Sequence, residues 1–198
     1  MPSLRIPLIA LLLPVALCAE DQLAATEHHL RVSVHSLPTT FDFQSESDTG
    51  GRLAEGRDEF DSFSRLRVNY LATIPFSADA AFLIGCSVAL SKIDTGGASD
   101  LDQKGTGIEI GIAATPSTTF AVELVAQGGF GFAEDSDSKS GHYGEFGLAA
   151  RPVLQLGMIE LFAEIGWVFQ RQKLDYGLED TDVRTSGGQA GAGIGLVF

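Results

Sequence analysis

The chain has 198 residues, of which 44% are hydrophobic and 20% are charged, and its 26 acidic residues against 13 basic ones give a formal net charge of −13. Such acidity argues against nucleic acid as a partner, because binding to a phosphate backbone depends on Lys and Arg. One of the two cysteines lies in the N-terminal leader, which leaves Cys86 alone and excludes an internal disulfide. The length fits one domain.

The N-terminus has the pattern of an export signal. Arg5 supplies a positive charge, an apolar run follows as far as Leu17, and small residues precede a cut after Ala19. The run is too short to span a membrane as a helix. We therefore predict a signal peptide at 1–19 and one mature domain at 20–198. A lipoprotein acylated at Cys18 is the alternative, although Leu17 is large for that processing site.

Eight stretches of the mature chain alternate apolar and polar residues with a period of two, which predicts β-strands with two different faces. Most reach the roughly 9–11 residues that a tilted membrane strand needs. The stretches are 28–36, 63–74, 80–91, 105–114, 119–132, 141–154, 158–170 and 187–198. No stretch of the mature chain has the length and apolar character of a membrane helix.

The connections between these strands alternate in length. Short turns are predicted at 75–79, around 116–117 and at 155–157, and longer polar segments at 36–62, 92–104, 133–140 and 171–186. This alternation is typical of a membrane barrel with tight periplasmic turns and extended outer loops. The four long segments hold 17 of the 26 acidic residues, so we expect mobile, solvated acidic loops.

The acidic loops could also attract divalent cations, although no specific metal site is predicted. The stretch that comes closest is Asp94–Asp102, which lacks the alternating oxygen ligands and the terminal Glu of an EF-hand loop.

One face of the predicted strands is apolar and is bordered at both ends by aromatic residues, the pattern of a lipid-facing belt. These aromatics are Phe76, Phe82, Phe120 and Phe198 at the turn end, and Phe130, Phe132, Trp167 and Phe169 at the loop end. The opposite face carries nine charged residues and no Lys. They are Arg31, Arg65, Arg67, Arg151, Glu109, Glu123, Glu145, Glu160 and Glu164. Charges facing lipid would cost a few kcal/mol each, so this face is predicted to line an interior.

The last predicted strand, GGQAGAGIGLVF, has a face of Gly and Gln opposite an apolar face and ends in Phe198. On the basis of this last strand, the belt and the loop alternation, the chain resembles the small outer-membrane β-barrels of Gram-negative bacteria, the OmpA- and OmpX-like group. The last strand of these barrels typically ends in Phe. The resemblance implies an all-β fold, an eight-stranded antiparallel up-and-down transmembrane β-barrel, in the cell outer membrane. It also implies contacts with outer-membrane lipid and lipopolysaccharide, and recognition of the C-terminal strand by the barrel-assembly machinery.

A soluble eight-stranded barrel of lipocalin type is the competing fold. Its outer surface would be the face that is rich in Gly and Ala and poor in Lys, which does not suit a solvated strand.

The interior of an eight-stranded barrel is narrow enough for side chains to fill it, so a structural role for the nine charged residues is favoured over a gate or an ion path. The leading function is a structural or surface-interaction protein that acts through its acidic outer loops, as a monomer. A narrow OmpW-like channel for small solutes comes second and a lipid-modifying enzyme third. His29, Ser33 and His35 share the interior face of the first strand, but no motif links them to an acid. We therefore expect no catalytic residues, no metal and no cofactor.

A specific contact is predicted inside the barrel. Glu109 and Glu123 lie seven residues on either side of Pro116, so a turn centred there would place them opposite each other or one pair apart. Two facing carboxylates repel unless a cation lies between them. We predict that Arg65 or Arg67 bridges this pair.

Overall fold

The computed structural model describes residues 26–47, 49, 51–96, 100–115, 117, 119–135, 140–175 and 179–198. The predicted signal peptide lies outside these residues and stays a prediction. No helix in the described part is long and apolar enough to cross a membrane. Ten antiparallel strands are present: β1 Glu27–Ser36, β2 Thr40–Ser47, β3 Arg52–Glu59, β4 Ser62–Ser77, β5 Ala80–Asp94, β6 Leu101–Ala114, β7 Phe120–Asp135, β8 Ser140–Leu156, β9 Ile159–Asp175 and β10 Glu179–Val197.

Strands β4 to β10 pair in chain order, and β1 is paired with β4 along one edge and with β10 along the other. The predicted all-β, antiparallel up-and-down sheet is thereby confirmed. Two routes lead from His35 on β1 to β10. Directly opposite partners followed through β4, β5, β6, β7, β8 and β9 lead to Thr181, whereas the direct β1–β10 pairing places His35 opposite Gly191. The circuit is therefore staggered by ten residues, and a stagger of this kind tilts the strands against the axis.

The two additional strands, β2 and β3, continue the lines of β1 and β4. Ser36 pairs with Ala190 and Phe41 with Thr185, so β1 and β2 keep a single register along β10. They are separated at Pro38, which has no N–H to donate to a ladder. The β2–β3 hairpin thus extends β1 and β4 outward. The expectation of a mobile loop at 36–62 was wrong, because this polar stretch forms strands.

Where the structure describes them, the other three long connections are also mostly strand. The interior positions continue the period of two well beyond the belt, and seven of them form an apolar cluster at the outer end, which we call the outer cluster: Leu37, Phe63, Ile93, Leu101, Ala133, Val168 and Leu174. The exterior positions beside Ile93, Leu101 and Leu174 are polar: Lys92, Asp94, Asp102 and Lys173. The predicted loops at 92–104, 133–140 and 171–186 were therefore too long. Their polar exterior residues were interpreted as loop residues, although they alternate with apolar residues that face the interior.

The exterior of the circuit is apolar, with large side chains exposed on each of its strands. Ile108 is 66% exposed, Ile165 67% and Leu148 55%, and all eight belt aromatics are between 41% and 73% exposed. Charged side chains such as Arg31 and Glu109, each 1% exposed, lie in the interior. This arrangement is the reverse of a soluble domain, in which Arg and Glu are almost never fully buried.

Because the circuit of pairings does not require β2 or β3, replacing 41–58 with a short turn should leave the barrel folded. The shortened protein should keep heat-modifiable electrophoretic mobility. As a contrast, Gly193→Val should abolish the heat-modifiable form, because a Cβ there would lie 2.4 Å from both the Val32 carbonyl oxygen and Phe162 Cζ. Loss of the folded form on removal of the hairpin would contradict the expectation that the circuit folds without β2 and β3.

Candidate functional site

The interior of the circuit holds a connected network of Arg and Glu side chains, which we call the interior network. It contains the nine charged residues that the sequence placed on the interior face. Eight of them are at most 3% exposed, and the Glu145 side chain is 9% exposed. Burial of this many charges is tolerated only when each is paired and hydrogen bonded.

Arg31 on β1 forms the first hub of the network. Its Nη1 and Nη2 donate to the two carboxylate oxygens of Glu123, at 2.7 Å each. Its Nε donates to Glu160 Oε1 at 2.5 Å and its Nη2 to Oε2 at 2.9 Å. His29 Nδ1 lies 3.1 Å from the same Glu160 oxygen. The planar fork of the guanidinium group suits this double bidentate contact, which an ammonium group could not make.

Arg151 on β8 forms the second hub and contacts three carboxylates. Its Nη1 donates to Glu109 Oε1 at 2.8 Å and to Glu123 Oε2 at 3.0 Å, and its Nη2 donates to Glu164 Oε2 at 2.7 Å. Phe162 lies between the hubs, with the guanidinium carbons of Arg31 and Arg151 at 5.2 Å and 5.4 Å from its ring centroid. Glu123 therefore joins the two hubs into one unit.

The predicted bridge between Glu109 and Glu123 exists, but the bridging residue and the register were wrong. Glu109 pairs with Gln127, and Ala114 pairs with Val122, which sets the centre of the hairpin two residues beyond Pro116. Within this connection the Ser117 hydroxyl accepts the backbone N–H of Phe120 at 3.0 Å. Arg151 makes the bridge, while neither Arg65 nor Arg67 pairs with either carboxylate.

Arg65 and Arg67 instead form the outer arm of the network around Glu145. Arg65 Nη1 lies 2.6 Å from Glu145 Oε2, and its Nε donates to the Ser91 hydroxyl at 2.8 Å. Arg67 Nη2 lies 3.7 Å from Glu145 Oε1. The Arg67 Nη1 donates to Gln127 and lies 3.9 Å from Glu164, which connects the arm to the Arg151 hub.

Several uncharged or weakly basic residues complete the network and were missed as members. Asn69 donates to Glu109 at 3.0 Å, Gln189 donates to Glu164 at 3.1 Å, and His29, Gln127 and His35 make the contacts described above and below. Each lies on the interior face with the charged residues. Their position on the interior face was the sequence feature that could have identified them as members of the network. The sequence alone does not show which interior polar residues are in contact.

Ser33, His35 and Glu164 are aligned in the order of a nucleophile, a base and an acid. The Ser33 Oγ lies 2.8 Å from His35 Nε2, and His35 Nδ1 lies 3.5 Å from Glu164 Oε1. Ser33 is 4% exposed, however, and a Cβ on the facing Gly191 would lie 2.4 Å from the imidazole. A nucleophile packed this closely has no space beside it for the reacting atom of a substrate.

Apolar and amide layers cover the outer side of the network. Gln103 donates to Gln172 at 2.7 Å and accepts from Gln170 at 2.9 Å, and the outer cluster lies beyond them. Nearer the turns, a second apolar cluster lines part of the interior wall with Ala81, Leu83, Ala113, Val125 and Ala149. Among the described residues, no group of three or more His, Cys, Asp or Glu is arranged to hold a metal ion.

Comparison with known proteins identifies structures of similar fold. No protein-family model matches the chain, and no curated protein sequence matches it. The attachment invasion locus protein Ail of Yersinia pestis, solved with the heparin analogue sucrose octasulfate, is 16% identical, with 86% of this chain and 99% of Ail covered and a TM-score of 0.37.

Two further solved structures are similar to the chain. OprG of Pseudomonas aeruginosa is 12% identical (87% and 95% covered, TM-score 0.45), and the outer-membrane protease OmpT of Escherichia coli is 9% identical (87% and 97% covered, TM-score 0.44). All three similar structures are outer-membrane β-barrel proteins. The exposed apolar belt and the polar interior of this chain are the arrangement of a membrane-spanning barrel.

Arg151→Met should destabilise the protein by about 3–5 kcal/mol, because it leaves Glu109, Glu123 and Glu164 without a shared cation. Glu109→Gln should cost less, since Arg151 keeps two carboxylates. Urea unfolding in lipid vesicles, followed by the fluorescence of Trp167, measures both. Arg52→Met is the matched control, because Arg52 pairs with Glu55 on the exposed strand β3 and should contribute no more than about 1 kcal/mol. An Arg151→Met protein as stable as the parent would refute the hub.

Proposed function

We propose that the chain is an eight-stranded outer-membrane β-barrel with an interior filled by side chains, and that it acts as a structural or surface-interaction protein. The observation that carries this proposal is the interior network, which occupies the space that a solute would have to cross. The eight strands are the circuit β1, β4 to β10, with β2 and β3 as an extension beyond the membrane. Export by a signal peptide at 1–19 and a mature domain at 20–198 belong to the same proposal.

The belt supports the membrane position. Patches of exposed apolar surface on soluble monomers rarely exceed a few hundred Å², whereas here every strand of the circuit presents large apolar side chains outward. An apolar band between two aromatic girdles matches the lipid-facing surface of outer-membrane barrels. Water on this surface would be costly, and lipid removes that cost.

The outer extension supports a role in surface contacts. The β2–β3 hairpin carries the exposed acids Asp42, Glu46, Glu55, Asp58 and Glu59. Strand β3 is exposed along its whole length. A basic partner, or divalent cations shared with anionic lipopolysaccharide, fits this surface by charge.

A narrow channel is the second candidate, and unpaired polar atoms in the interior favour it. Arg65 Nη2, Asn69 Oδ1, Gln127 Nε2, Gln172 Nε2 and Gln189 Oε1 are buried without a hydrogen-bond partner in the protein. Buried groups of this kind usually bind ordered water. A continuous row of such water molecules along the interior would conduct small ions only if the outer cluster opened.

The conductance of the pure protein separates these two functions. In planar bilayers we expect no large, stable openings, because the interior network and the outer cluster block the interior. Phe63→Ala and Ile93→Ala together should remain silent as well, since the charged hubs lie deeper. Steady openings from the parent protein would favour the channel, and openings only in the double variant would identify the outer cluster as its gate.

An enzymatic role is not part of the proposed function, and active-site labelling tests this exclusion. Intact protein in detergent should not react with a fluorophosphonate probe, because Ser33 is sealed in the interior. Heat-denatured protein and a Ser33→Ala variant set the background. Labelling of the folded parent that Ser33→Ala or His35→Ala abolishes would instead assign hydrolase chemistry to Ser33, His35 and Glu164.

A further inference from the structure

The charges of the interior network are distributed unevenly along the axis of the circuit. The outer arm brings the guanidinium groups of Arg65 and Arg67 to one carboxylate, that of Glu145. The hubs of Arg31 and Arg151 join only two guanidinium groups to four carboxylates: Glu109, Glu123, Glu160 and Glu164. With the histidines uncharged, the hubs therefore carry an excess of two negative charges.

This negative excess lies next to the turns, at the end of the circuit opposite the outer cluster. Ala121 and Val153 pair one interior step from Glu123, and Gln155 pairs with Glu160. We call the opening of the circuit at this end the turn-end mouth. Charges of one sign around an opening with low-dielectric walls concentrate counter-ions there. The hubs therefore favour cations at the turn-end mouth.

The rim of the turn-end mouth adds two exposed carboxylates, Glu27 and Asp79, which we call the rim carboxylates. No salt bridge between described residues involves either of them. Apart from the hub arginines, no Lys or Arg of the described residues lies at this end. A proton on His29, which contacts Glu160, would remove one negative charge and still leave the mouth negative.

A cavity of about 490 Å³ opens at the turn-end mouth. Concave sites of roughly 300–1,000 Å³ are typical for small ligands, and the mouths of β-barrels are among their common positions. Besides the rim carboxylates, the lining of this cavity includes apolar and hydrogen-bonding side chains: Phe120, Ala121, Val153, Thr115, Ser117 and Gln155. The cavity therefore offers negative charge and apolar surface side by side.

Backbone hydrogen bonds hold the segments around this cavity together. The Thr115 N–H donates to the Asp79 carbonyl oxygen at 2.9 Å, which joins the β4–β5 turn to the β6–β7 connection. The Gln155 N–H donates to the Thr119 carbonyl oxygen at 2.8 Å, which joins that connection to the end of β8. The cavity is thus formed before any ligand binds, and binding does not have to order these segments.

We propose that the turn-end mouth binds a small organic cation of the alkyl diamine class, with its ammonium groups among the rim carboxylates and its methylene chain over Ala121 and Val153. The site lies at the opposite end of the circuit from the acidic outer extension, so this inference goes beyond the surface role and does not depend on it.

The class of ligand follows from the lining. The negative charge of the hubs and of the rim carboxylates excludes anions. A hydrated metal ion would gain nothing from Ala121 and Val153, whereas a methylene chain gains free energy when it leaves water for an apolar surface. Among the described residues, no group of three or more His, Cys, Asp or Glu is arranged to hold a metal ion. Two carboxylates on the rim match two ammonium groups better than one.

Backbone amide shifts in NMR spectra of the protein in an uncharged maltoside detergent give both the position and the affinity of binding. Putrescine should shift the amides of Thr115, Ser117 and Gln155 in a saturable manner and leave those of the outer cluster unchanged. Butylamine, with one ammonium group, should need about a tenfold higher concentration, as expected from the loss of one charge-assisted contact. Butane-1,4-diol should cause no shift, and Mg²⁺ at the concentration of putrescine should not displace it.

Three variants test the residues. Glu27→Gln with Asp79→Asn should raise the Kd for putrescine by about tenfold or more, because it removes both rim carboxylates. Ala121→Leu should weaken binding without a change of charge, because the larger side chain occupies part of the cavity. Glu46→Gln with Asp58→Asn removes two acids from the outer hairpin and should leave the Kd unchanged. Heat-modifiable mobility shows that each variant is folded.

The results distinguish this inference from the proposed function. A folded parent protein without saturable shifts, or an unchanged Kd in both the rim and the Ala121→Leu variants, would overturn the diamine site and leave the barrel and its surface role untouched. Displacement of putrescine by an equal concentration of Mg²⁺ would reduce the mouth to a general counter-ion site and so overturn the class of ligand.

Discussion

The pairing of buried arginines with buried glutamates is the constraint on which the rest of the structure depends. The circuit of paired strands encloses a narrow space, and charges placed there must satisfy one another. Arg31 and Arg151 do this through bidentate contacts to shared carboxylates, with Phe162 between them. Removal of either hub leaves several acids together, whereas removal of one acid leaves a hub with other partners.

The glycines of β10 follow from the same constraint. A Cβ at Gly195 would lie 2.3 Å from a carboxylate oxygen of Glu160 and 2.9 Å from Arg31 Cγ. Strand β10 also pairs with β1 and thus closes the circuit. At Gly191, Gly193 and Gly195 the interior face of β10 therefore leaves space for the side chains of its neighbours. Its exterior face still supplies Ile194, Leu196 and Phe198 to the belt.

The charged residues of the interior and those of the outer extension have different surroundings and different roles. Interior charges are paired locally and serve stability, whereas charges on the outer extension are exposed and predominantly acidic. Interior and exterior positions alternate along each strand, so a single strand such as β9 contributes Glu164 to the network and Trp167 to the belt.

The sequence by itself determined the central parts of β1 and β4 to β10, the two faces and the belt, but not β2 or β3. A period of two and the cost of a charge in lipid are local properties that need no knowledge of contacts. It placed all nine charged residues on one face for that reason. Tertiary structure decided the partners. The β6–β7 register places Glu109 opposite Gln127, and the stagger of the circuit brings Arg151 rather than Arg65 to Glu109. Ile93, Leu101 and Leu174 pack in the interior on strands where the sequence had indicated loops. These outcomes depend on register and closure, which involve residues far apart in the chain.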